Sequence, residues 1–146
     1  MQIRRAKRSD LKDIGKLYAD AYNSIGDEWT DRPAIELMRK YYRTQNDLFF
    51  VVEDDEVGIV AAIWGNVLLL NNEKYLDDVD VWVDPEYQGR GLAKNLMKHL
   101  FKTALRKYKI SFIQALADSK KKFPMEFYRR IGFEDCEWVN VVGDPK

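Results

Sequence analysis

A single cysteine, Cys136, stands in 146 residues, and that scarcity removes two ways of building a small protein. No internal disulfide can form and no cysteine cluster can hold a zinc ion, so the core must come from apolar packing, as suits a reducing compartment. Histidine is as scarce. His99 by itself cannot make a zinc site of the usual kind, and no metal is expected. An excess of charge is missing too: 24 Lys and Arg balance 24 Asp and Glu, so no global field points to nucleic acid or to an anionic membrane. Any basic site must be local. The longest apolar runs are far too short to span a bilayer, and Met1 to Arg5 lacks the apolar stretch of a signal peptide, so a soluble cytoplasmic protein is expected. Repeats, linkers and low-complexity segments are absent as well. What remains is a chain with 46% apolar residues, read as one domain over 1–146.

In chain order, Gln2 to Arg5 reads as a short strand and Ser9 as the N-cap of a helix. Leu11, Ile14, Leu17, Tyr18, Ala21 and Tyr22 give that helix its buried stripe. Asn23 to Arg32 breaks the pattern. A second helix after Pro33 carries Ile35, Leu37, Met38, Tyr41 and Tyr42. Leu48 to Glu53 and Val57 to Leu70 are β-rich runs split by three acids, which predicts an antiparallel hairpin. Further on, Ile110 to Ala117 reads as a strand, Pro124 to Ile131 as a helix stopped by Gly132, and Phe133 to Val142 as a final strand. Cys136 is expected to be a small residue of that strand and no nucleophile.

The stretch from Asp77 to Met97 organises the rest. Val79, Val81 and Val83 alternate with Asp78, Asp80 and Trp82 at the period of a strand, Pro85 closes it, and Leu92, Leu96, Leu100 and Ala104 then recur at helical spacing. Strand, helix and the strand at Ile110 make a βαβ unit with parallel outer strands. Between strand and helix lie Gly89 and Gly91. A glycine loop feeding a helix N-terminus presents free N–H groups and the positive end of the dipole, a setting that suits a phosphate. Two familiar phosphate loops fail here. No Gly-Lys-Ser/Thr occurs, and the third glycine of the dinucleotide fingerprint is replaced by Lys94.

The residues left, Gln88-Gly89-Arg90-Gly91-Leu92-Ala93 after Val83-Asp84-Pro85, resemble the acetyl-CoA motif of the GCN5-related N-acetyltransferases (GNAT). Phe127 to Phe133 is similar to that family's second motif, Leu/Phe-Tyr-x-x-x-Gly-Phe, and the opening Ile-Arg-x-Ala-x-x-Ser-Asp-Leu resembles its usual start. The likeness implies a mixed α/β fold: a mostly antiparallel sheet of about six strands, helices on both faces, and a parallel βαβ unit carrying the acyl-CoA site. Two positions depart from the pattern. Where the family has Asn and Ala before the tyrosine, this chain has Lys121 and Pro124.

The resemblance implies direct acetyl transfer from acetyl-CoA, a cosubstrate, to a primary amine on a protein N-terminus, a lysine, a polyamine or a small molecule. The alternative is a non-catalytic acyl-CoA-binding sensor or interaction module. Backbone N–H groups from Gly89 to Ala93 would take the pyrophosphate, the strand at Val81, Trp82 and Val83 would line the pantetheine arm, and Lys94 or the Lys120 to Lys122 run, Lys121 included, would supply charge to the 3′-phosphate. A lysine-type ammonium with a pKa of about 10.4 must lose a proton before attack, and the departing thiolate gains from receiving one. By resemblance Tyr128 is the acid, placed at the cosubstrate's sulfur. For the base, Asp77, then Asp78, then Asp80 are the candidates, with a bulge in their strand deciding which faces the acceptor. Trp29, Asp27 and Glu28 are the expected acceptor-side residues. No nucleic acid or membrane partner is expected, and a homodimer is left open.

Overall fold

The structure, a computed structural model, describes residues 1–117, 120 and 122–146, with the side chains of Lys122, Phe123 and Pro124 set aside. Its chain divides into two compact units, Met1–Ala115 and Leu116–Lys146.

The first unit holds a five-stranded sheet in the order β1 (Gln2–Arg5), β2 (Phe49–Asp54), β3 (Gly58–Leu70), β4 (Glu73–Val83) and β5 (Phe112–Ile113). Neighbours from β1 to β4 are antiparallel, and β4 pairs with β5 in parallel, as the βαβ reading requires. The expected mixed sheet is present with five strands. Phe133 to Val142 carries no strand, because a strand exists only by pairing and this segment pairs with none among the described residues. Val139, Val141 and Val142 are instead exposed, Val142 at 98%. The strand expected from Ile110 to Ala117 shortens to two residues for the same reason.

Helices α1 (Leu11–Asn23) and α2 (Asp31–Gln45) cover one face of the sheet and α3 (Leu92–Tyr108) the other. Adjacent β3 residues show this directly. Trp64 stacks on Tyr41 of α2 with ring centroids 3.9 Å apart, while a Cβ on Gly65 would lie 3.2 Å from Leu100 of α3. The main apolar cluster joins Ile14, Leu17 and Tyr18 of α1, Ala34 and Met38 of α2, and Phe49, Val51, Ala62, Trp64 and Trp82 of the sheet. Gly15 lets the two helices meet closely, since a Cβ there would sit 2.8 Å from the Ile35 Cα. Ser9 does not cap α1: a 3-10 turn over Arg8–Asp10 precedes it, and the Asp10 carboxylate takes the Lys7 N–H at 2.7 Å and pairs with Arg4 at 2.7 Å.

The second unit contains α4 (Lys122–Arg130), which ends at Gly132 with φ +99°. No helix among the described residues is long and apolar enough to cross a membrane.

Candidate active site

Beyond Val83 the chain makes a turn that is tied at every step. The Asp84 N–H donates to the Val60 carbonyl at 2.9 Å, and its carboxylate accepts the Glu86 N–H at 2.9 Å, starting a 3-10 turn over Pro85–Tyr87. Gln88 Nε2 then reaches back to the Val83 carbonyl at 3.2 Å, and the Arg90 guanidinium lies over the Tyr87 ring at 4.4 Å. Gly89 and Gly91 both take left-handed φ, +76° and +77°, and a Cβ at either would meet nothing within 4 Å. Conformation calls for glycine here, and the space over both residues is open. Gly91 is the residue from which α3 starts; the first helical bond is Asn95 N–H to its carbonyl, 3.0 Å. No acid lies in the first turn, so the positive end of α3 is left to a ligand anion. Lys94 adds an exposed cation there.

Next to this loop runs an open backbone edge. β4 pairs with β5 only at Tyr75 and Leu76, with Ser111 and Gln114 N–H groups bonding Lys74 and Leu76 carbonyls at 2.7 and 2.8 Å. From Asp77 to Val83 the side of β4 turned away from β3 has no strand among the described residues. That edge, at Val81, Trp82 and Val83, can receive an extended amide-bearing chain as an added strand.

A bulge interrupts the same strand. Trp64 pairs with Asp80 but Asn66 with Asp77, so β4 has one residue more than β3, and Asp78 takes φ +50°. The extra residue switches the side-chain phase. Leu76 lies towards Leu100 of α3, yet Asp80, four residues on, bonds to α1 and α2. Asp78 is left exposed at the bulge, and partial burial followed by the neighbouring charge of Asp77 pushes its carboxyl upward.

Asp80 is held by phenols. Tyr22 Oη donates to one carboxylate oxygen at 2.5 Å and Tyr41 Oη to the other at 2.8 Å, with the Tyr18 hydroxyl adding to them. Burial nevertheless raises its pKa, against the pull of these hydroxyls. Trp29 packs edge-on against Tyr18 at 5.0 Å, and Asn23 fixes it from both sides, accepting the Trp29 N–H at 2.6 Å and donating to its carbonyl at 2.9 Å. Asp27 is half-buried and its charge acts on the Tyr18 hydroxyl, while Glu28 is exposed.

In the second unit, Tyr128 belongs to a helix-ending motif. The Phe133 N–H bonds the Tyr128 carbonyl at 3.0 Å and the Gly132 N–H the Arg129 carbonyl at 3.1 Å, the paired bonds of a Schellman stop, with the Tyr128 and Phe133 rings 5.3 Å apart. Tyr128, Gly132 and Phe133 are therefore spaced as this stop demands.

The Acetyltransferase (GNAT) domain model matches residues 45–135, more than half of the sequence. The chain belongs to the GNAT family. An uncharacterized N-acetyltransferase of Methanocaldococcus jannaschii is 26% identical over 96% of this chain, which spans 65% of that protein's length. Spermidine N(1)-acetyltransferase of Escherichia coli K12 is 28% identical over 91% of this chain and 72% of its own. Among solved structures, an aminoglycoside N-acetyltransferase in complex with CoA superposes with a TM-score of 0.74 at 17% identity, covering 99% of this chain and 95% of that one.

For this GNAT chain the structure gathers Val81, Trp82, Val83, Gln88, Gly89, Arg90, Gly91, Leu92, Ala93 and Lys94 along one strand, turn and helix start. Trp29 and Asp27 come to Tyr18, beside Asp80, while Asp77 and Asp78 sit at the bulge. Lys121 lies outside the described residues. Sequence reasoning missed Tyr22 and Tyr41 as partners of an acid, reading both as apolar stripe. The signal was their hydroxyls, which need partners when an aromatic stripe is buried.

Proposed function

We propose that this chain transfers the acetyl group of acetyl-CoA directly to a primary amine. The observation that carries the reading is the pair of left-handed glycines at the start of α3 beside the open edge of β4: an anion seat next to a strand-shaped slot. Coenzyme A has this chemistry, a pyrophosphate joined to an extended arm with amides. The N–H groups of Gly89 to Ala93 take the pyrophosphate, Lys94 and Arg90 add charge, and the backbone of Val81 and Val83 pairs with the arm.

In direct transfer the amine nitrogen attacks the thioester carbonyl, a C–N bond forms, and the C–S bond breaks. The surplus amine proton leaves to a base, and coenzyme A departs as a thiol once its sulfur is protonated. Asp78 is the proposed base, with Asp77 beside it making the site more proton-accepting; its exposure lets it pass the proton to water. Tyr128 is the proposed acid. The spermidine-acetylating relative supports a small amine acceptor; protein N-termini and lysines offer the same primary amine.

Release of free thiol from acetyl-CoA, followed across a broad amine panel, tests the proposal. Tyr128→Phe should lower turnover by roughly 10²-fold or more with acetyl-CoA affinity kept. Acetyl-CoA binding without turnover would favour the non-catalytic module, and neither binding nor release would sink both readings.

A further inference from the structure

Among the described residues Asp80 is a carboxylate without a counter-ion. Both its oxygens accept phenolic hydroxyls, at 2.5 Å from Tyr22 and 2.8 Å from Tyr41, and among the described residues no Lys, Arg or His forms an ion pair with it. Phenols are neutral at physiological pH, so they orient the carboxylate and leave its charge whole. The neighbouring charge that acts on it is Asp78, of the same sign. Around the carboxylate stand aromatic rings: Tyr18 and Tyr22 with centroids 4.5 Å apart, and Trp29 edge-on to Tyr18 at 5.0 Å. A carboxylate set among aromatic rings is the chemistry that recognises an alkylammonium, by ion pairing and by cation–π attraction. Tyr22, Trp29, Tyr41 and Asp80 are each half-buried as residues, which puts the cluster at the edge of the core, while the Asp80 carboxyl itself is enclosed by the phenols and a cation meets it by parting those rings.

An ammonium seated there cannot be the nucleophile. A carboxylate at contact distance stabilises the charged form and raises the amine's pKa, so the bound group stays protonated and its nitrogen has no lone pair to give. The site fits an anchoring cation, and the attacking amine must be a second one on the same molecule. We propose that Asp80, with Tyr22, Tyr41 and Trp29, holds the non-reacting ammonium of a diamine or polyamine acceptor while another amino group of that molecule is acetylated. The inference rests on the acetyltransferase reading above and gives it a substrate class.

The test compares 1,n-diamines and spermidine with monoamines of matched chain length, reading kcat/KM by thiol release. The wild-type protein should prefer the diamine by ~10-fold or more, chiefly through KM. In Asp80→Asn the diamine-to-monoamine ratio should collapse towards one, and Tyr41→Phe, which keeps the ring and removes one hydroxyl, should lie between. Acetyl-CoA binding by calorimetry on each variant reports whether it is folded. Equal use of monoamines and diamines by the wild-type protein overturns the inference and leaves the acetyltransferase reading standing. Should no amine turn over, spermidine binding by calorimetry with coenzyme A present decides it: binding that Asp80→Asn abolishes supports the anchoring site, and no binding overturns it. Loss of acetyl-CoA binding in the wild-type protein is the distinct failure of the parent reading.

Discussion

Asp80, the proposed anchor, is a costly residue for the free protein. Burial raises its pKa, the hydroxyls of Tyr22, Tyr41 and Tyr18 offset part of that, and Asp78 adds to the rise. The folded state therefore holds the Asp80 proton more tightly than the unfolded chain, whose aspartates titrate near about 3.9. Stability from this group is full below that pH and is lost as pH rises through the higher folded value. Asp80→Asn removes the charge and keeps an oxygen for one phenol. The variant should thus melt at a higher temperature than wild type at pH 7 without ligand, with the gap closing towards pH 4. Thermal melts at the two pH values measure it. A variant less stable at pH 7 would mean that the phenolic bonds outweigh the buried charge. Stability gained by removing Asp80 would fit the anchoring role proposed for it, since a functional position is often a costly one.

At the scale of elements, what could be read from the chain and what could not divide at pairing. Helical periodicity placed α1, α2 and α3 because each buries its own stripe, and the glycine loop was legible because Gly89 and Gly91 need conformations that other residues resist. Asp77, Asp78 and Asp80 could not be sorted by alternation, since the bulge at Asp78 is set by the register of β3 against β4 and leaves no local mark. The run from Phe133 to Val142, which joins no strand among the described residues, failed likewise: β-branched residues give it strand character, but only a partner edge makes a strand. Tyr128 was singled out by a motif, and α4 supplies a physical reason for that motif's spacing. The Gly132 stop, with φ +99°, fixes the last turn on which Tyr128 sits. Gly132→Ala puts a Cβ into that left-handed conformation at a cost of about 1 kcal/mol or more, which loosens the turn. Turnover should fall by several-fold to tenfold. A turnover equal to wild type would detach the stop from the chemistry.

Taken whole, the first unit carries both proposed recognition regions on one sheet, and ligand-linked stability can tell them apart. A ligand that binds only the folded state stabilises it by RT ln(1 + [L]/Kd), so acetyl-CoA at a hundred times its Kd adds about 2.7 kcal/mol. For a chain of this size that is a rise of roughly 5–10 °C in melting temperature. Gly91→Ala strains the left-handed residue from which α3 starts and shifts the N–H groups of the anion seat. If its affinity falls about tenfold, the same acetyl-CoA concentration is only about ten times Kd, and the stabilisation drops to about 1.4 kcal/mol, half the wild-type effect. Asp80→Asn lies on the α1 and α2 face and should keep the full acetyl-CoA shift while losing the shift given by spermidine. Scanning both ligands against both variants gives four melting shifts. The expected pattern is crossed, each variant blunting one ligand and sparing the other. A shift lost for both ligands in either variant would show that the two regions act as one, and would make the β4 bulge, which separates their faces, the place where they are joined.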